Sequence, residues 1–195
     1  MTDAQDPRPL LRSAFEQSIH LVGAVAPDQF GDPTPCTDFD VRTLIGHMAF
    51  AANRIAAAGS RTAIPDQGPA ITGVSDSDWP NVFEKMARDA IEAWSDDAAL
   101  QGEIELPFGS FPAAAVAMIY MQEQVTHGWD LAVATGQVPK LDPALAEAVL
   151  PLVQQFVPPD GRGGEMPFDA VIEVPATASV YDRLAGYLGR QPPIG

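Results

Sequence analysis

Apolar side chains recur in this chain at steps of three and four over long stretches, and clusters of proline and glycine separate the stretches. That period is the helical one of about 3.6 residues, not the alternation of a half-buried strand. It predicts a first helix over Arg8 to Ala26, with Leu11, Phe15, Ile19 and Val22 on one face and Pro27 just beyond its end. A loop of turn formers from Phe30 leads to Thr37, which with Asp40 three residues on has the form of a capping box. A second helix follows over Val41 to Ala58, and a third, from Asp78 to Leu100, carries Trp79, Phe83, Met86, Ala90, Ile91 and Trp94. Alternation in Gly102 to Phe111, with a turn at Phe108 and Gly109, predicts a short hairpin. Pro112 is expected at the first position of a fourth helix, where its missing amide hydrogen costs least, and that helix should fade near Gly136. Asp142 should cap a fifth helix reaching Phe156; Val157 to Ala178 reads as irregular chain, and Ser179 to Leu188 as a last short helix ended by Gly189.

Four long amphipathic helices joined by loops give an all-α fold, an antiparallel four-helix bundle over residues 1–140. Residues 141–195 form a C-terminal appendage packed on it, made of a helix, a segment rich in proline and glycine, and the short terminal helix. At 195 residues and 46% hydrophobic content the chain can build a full core. Eleven basic against 26 acidic side chains leave a net charge of −15, which argues against nucleic acid or an anionic membrane as a partner. The N-terminus lacks the pattern of a secretory signal and no apolar run approaches the ~20 residues of a membrane span, so a cytoplasmic location is expected. The single cysteine, Cys36, excludes an intrachain disulfide framework and any metal site built mainly of thiolates.

A metal site must therefore draw on His, Glu and Asp, and three such residues stand out. Glu123 and His127 are four apart, which places a carboxylate and an imidazole side by side on one helical face. His47 lies in the second helix, so packing of the two helices can bring all three onto one divalent ion with coordination positions left open. Each has a plainer explanation: a histidine between Leu44 and Met48 is more often a core residue, and a Glu/His pair can be a surface contact. Against the second stands the setting of Glu123 among Tyr120, Met121, Val125 and Trp129, where a carboxylate needs a strong partner to offset desolvation. Asp130 can accept from a ligand imidazole, or simply sit on the helix surface. Trp129 reads as core and, beside the ligand turn, as a pocket wall; Trp79 and Trp94 read as core. His20 has no partner at ligand spacing. Cys36 reads as a small buried residue; in a functional role, the start of the second helix would lower its thiol pKa.

Three runs carry a resemblance. They are Pro33-Thr-Pro-Cys-Thr-Asp-Phe-Asp-Val-Arg-Thr-Leu-Ile-Gly-His47, then Glu123-Gln-Val-Thr-His-Gly-Trp-Asp-Leu-Ala132 with Ala134-Thr-Gly136, and Asp182-Arg-Leu-Ala-Gly-Tyr-Leu-Gly-Arg190. Together they resemble the actinobacterial metal-binding proteins related to mycothiol-dependent maleylpyruvate isomerase, within the DinB/YfiT-like superfamily. The resemblance implies a DinB-like bundle with a metal held by His47, Glu123 and His127. The isomerase has a further C-terminal domain that supplies a basic residue to the substrate; the tail here is short and proline-rich, and no spacing assigns that role to Arg162 or Arg183.

Two imidazoles and a carboxylate suit zinc first, and also nickel or iron. The resemblance implies that a small-molecule thiol such as mycothiol is activated and adds to a small electrophile, giving isomerisation or S-transfer. Two other functions fit the same residues: hydrolysis by metal-activated water, and a non-catalytic binding or sensor module. Expected partners are the small thiol and the electrophile, with a second copy of the chain also admitted.

Overall fold

A computed structural model describes residues 6–66, 68–106, 109–160, 162 and 168–193. Among them are six α-helices and one two-stranded sheet, in the order α1 (Arg8–Gly23), α2 (Val41–Gly59), α3 (Trp79–Ala93), β1 (Glu103–Leu106), β2 (Gly109–Pro112), α4 (Ala113–Ala134), α5 (Pro143–Phe156) and α6 (Val180–Tyr187).

The periodic stretches become helices, and most differences lie at their ends. The first helix stops at Gly23. Asp40, not Thr37, caps α2, its carboxylate accepting the Thr43 amide at 2.8 Å. Thr37 stays in a loop where Pro33 bridges to Asp40 and the Thr34 hydroxyl bonds the Phe39 carbonyl, so the helix starts later than a box at Thr37 requires. The third helix is shorter than the pattern suggests. It gives way at Trp94, and a 3-10 turn over Asp97–Leu100 follows, capped by the Asp96 side chain. Trp94 is wholly buried, its indole N–H donating to the Ile55 carbonyl at 2.8 Å, and this ties the end of α3 to α2.

The hairpin pairs Glu103 with Pro112 and Leu106 with Gly109, antiparallel. Its expected turn at Phe108 falls outside the described residues. Pro112 closes β2 and caps α4 instead of standing inside the helix. The Arg61 guanidinium holds the hairpin to the end of α2 through the carbonyls of Ala99, Gln101 and Glu103.

Helix α4 organises the molecule. Every residue from Gln124 to Ala132 is buried, as expected of a helix covered on all sides. It packs against α1, α2, α5 and α6, while α3 packs against α1 and α2. The core includes Phe15, Leu44, Ile45, Met48, Ile55, Trp79, Phe83, Met121, Val125 and Trp129, each at most 1% exposed. The described part of 157–178 holds neither helix nor strand. No helix among the described residues is long and apolar enough to cross a membrane.

Candidate metal centre

The α2/α4 contact brings the three predicted donors together. With α2 started at Asp40, His47 faces α4, where Glu123 and His127 project one turn apart. Glu123 Oε2 lies 3.6 Å from His47 Nε2 and 3.5 Å from His127 Nε2, and one donor atom from each residue falls within 4.8 Å of the other two. The imidazoles meet edge to face, with centroids 4.7 Å apart. The side chains of His47, Glu123 and His127 are 21%, 30% and 10% exposed, so the cluster is shielded but reachable.

These separations are within ion-pair reach but longer than a closed hydrogen bond. A direct N–H···O hydrogen bond closes to about 2.7–3.2 Å. Ligands about 2.1 Å from a tetrahedral cation stand about 3.4 Å apart, close to what is seen. The donor set and its spacing fit a divalent ion.

Both imidazoles are oriented through their other nitrogen. His47 Nδ1 lies 2.6 Å from the Pro69 carbonyl oxygen, which can only accept, so Nδ1 carries the hydrogen and Nε2 is turned to Glu123. His127 Nδ1 donates to Asp130 Oδ2 at 2.9 Å. Asp130 is fully buried, and Arg190 Nε donates to both of its oxygens, at 2.8 and 3.0 Å. Asp130 is thus turned to His127 and Arg190; one of its oxygens groups with Cys36 and His127, and not with His47 and Glu123.

The charges follow. Burial raises the Glu123 carboxyl, but the facing imidazoles of His127 and His47 outweigh it and hold the group well below the usual carboxylate range. Burial works against a charged His127, yet Asp130 and Glu123 push it up to about 9. Asp130 is likewise held low against burial, by His127 and Arg190. Cys36 contradicts the expectation attached to its place before α2: burial, aided by the Asp130 charge, pushes its thiol up to about 11. Its sulfur lies within 4.8 Å of donor atoms of His127 and Asp130.

Other residues fall as follows. Trp129 is 1% exposed with no hydrogen-bond partner for its indole nitrogen among the described residues, and Phe39 lies over His47 with ring centroids 5.1 Å apart. His20 is exposed and bonds within its own helix. Arg162 is spent on backbone carbonyls, including that of Tyr187. Sequence reasoning missed Pro69 and Arg190. A backbone carbonyl leaves no mark on residue type, and the only trace of Arg190 is its place at the end of the closing run.

Residues 11–132 match the family described as the mycothiol maleylpyruvate isomerase N-terminal domain. An uncharacterized protein of Mycobacterium tuberculosis, found in two strains, is 30% identical over 185 residues, covering 95% of this chain and 98% of its own length. A mutant of mycothiol-dependent maleylpyruvate isomerase superposes with a TM-score of 0.56 at 18% identity, over 65% of this chain and 60% of that enzyme. A second structure of the isomerase gives 0.54 at 18% identity, over 75% and 68%. At that identity the structures speak for the fold, and this chain spans only part of the isomerase. The match over residues 11–132 places the chain in the mycothiol maleylpyruvate isomerase N-terminal domain family.

Proposed function

We propose that this protein is a metal-dependent enzyme that activates a small thiol, of the mycothiol kind, for isomerisation or S-transfer on a small electrophile. In this reading α1 to α4 form an antiparallel, DinB-like four-helix bundle over residues 1–140, and residues 141–195 form an appendage. The observation that carries it is the convergence of His47, Glu123 and His127 at separations a tetrahedral cation would set.

His47, Glu123 and His127 would hold the ion; the donor set favours zinc and also admits nickel or iron. A divalent ion held there supplies the Lewis acidity that turns a thiol into a nucleophile at neutral pH. The chain's own residues do the rest. The Pro69 carbonyl and Asp130 keep both Nδ1 atoms protonated and both Nε2 atoms aimed inward, Arg190 balances the buried Asp130 charge, and Phe39 covers His47. With its thiol raised to about 11, Cys36 is neutral at pH 7 and a poor nucleophile, which favours a thiol supplied from outside.

The test is a titration of cobalt-loaded protein with mycothiol, cysteine and glutathione, followed by absorption. A saturable, thiol-dependent change in the cobalt bands, absent with the matching alcohols, is expected. No response to any thiol, together with no turnover of unsaturated acids, would refute the thiol reading.

A further inference from the structure

Within the proposed metal centre, the orientation of His47 depends on a contact between a helix and a loop that only a glycine permits. Gly46 lies inside α2, next to His47. A β-carbon at this position would run into the backbone carbonyl oxygen of Ile71, and would also meet the Ala70 side chain at 3.5 Å. The loop after α2 uses the space. The Ile71 amide donates to the Gly46 carbonyl at 3.0 Å, which pins the loop to the middle of the helix. Two residues back, the Pro69 carbonyl accepts from His47 Nδ1 at 2.6 Å.

We infer that Gly46 is a positioning residue: by admitting Pro69 to Ile71 against α2 it fixes the Nδ1–H form of His47 and aims Nε2 at Glu123. The inference rests on the metal-centre reading for its consequence in affinity, while the docking is read from the contacts of Gly46, Pro69 and Ile71 alone. The position runs against helix propensity. Alanine suits a helix interior better than glycine does, so Gly46→Ala should favour α2 while displacing the loop. Partners that orient a ligand imidazole typically contribute 10–100-fold in metal affinity.

The experiment compares wild type, Gly46→Ala and Ile71→Pro by imidazole nitrogen NMR, amide exchange at residue 71 and zinc competition against a chromophoric chelator. Ile71→Pro removes the amide donor from the loop side and leaves α2 untouched. In metal-free wild type the neutral form of the His47 ring should carry its proton on Nδ1, and the Ile71 amide should be protected. Both variants should lose the Nδ1 preference, the Gly46→Ala variant should also lose protection at Ile71, and both should bind zinc about 10–100-fold more weakly at unchanged helicity. If wild type itself takes up no zinc, the metal reading falls while the nitrogen spectra still judge the docking. A wild-type His47 signature and zinc affinity in both folded variants would overturn the inference.

Discussion

At the scale of single residues, His127 is pulled by two demands. In the metal-free protein Asp130 and Glu123 favour its cation and lift it from 6.5 to about 9, whereas an ion at Nε2 requires the neutral ring. A raised pKa contributes stability that is complete below about pH 6.5 and is lost as pH climbs through about 9. Glu123 and Asp130 are shifted down, so their contributions are present above their ordinary values of 4.5 and 3.8 and are lost as pH falls. Metal-free protein should therefore be most stable between about pH 5 and 6.5, and its melting temperature should drop from about pH 6.5 to 9. Zinc-loaded protein should not show that drop, because zinc competes with the proton and binds more tightly as pH rises. Melting curves of both forms across this range check the point, and a metal-free form that gains stability towards pH 9 would contradict the assigned charges. The shared face of Glu123 and His127 was legible in the sequence, because a four-residue spacing on a helix puts two side chains one turn apart. What holds the imidazole Nδ1 atoms was less so: Asp130 could be named with two roles open, while Pro69 acts through its backbone.

Among the elements, the C-terminal segment reaches Asp130 through the Arg190 side chain. Arg190 follows α6, is 12% exposed, and pairs with an Asp130 that is fully buried. Loss of one member of a buried pair typically costs about 3–5 kcal/mol, and removing Arg190 leaves Asp130 with His127 as its remaining charged partner among the described residues. Arg190→Met should lower the unfolding free energy by about that amount in urea, and adding Asp130→Asn should restore part of it. A cost below about 1 kcal/mol, the range of an exposed pair, would show that the clamp is not formed in solution. Sequence reading located the six α-helices among the described residues, yet missed ends where side-chain bonding competes with the period. Asp40 took the cap from Thr37, the Asp96 side chain started a new turn after Trp94, and strand pairing kept Pro112 outside α4.

For the whole molecule, the helical region up to α4 was the readable part because apolar spacing dictates which faces must be buried. Helix α4 illustrates the reach of that rule: it is enclosed by α1, α2, α5 and α6, and its enclosure is what gathers Glu123 and His127 under cover. The tail was less readable. Much of 157–178 lacks a period, and the contact from Arg190 to Asp130 spans 60 residues of sequence. The net charge of −15 bears on solubility and partners and leaves the site to local geometry.

The central claim is that α2 and α4 jointly hold one cation, and metal stoichiometry tests it most directly. Elemental analysis after equilibration with zinc and removal of the loosely bound fraction should find one ion per chain in wild type. It should find almost none in His47→Ala, Glu123→Ala and His127→Ala proteins whose circular dichroism remains helical. Stoichiometric zinc in the His47→Ala protein, or none in wild type, would contradict the account.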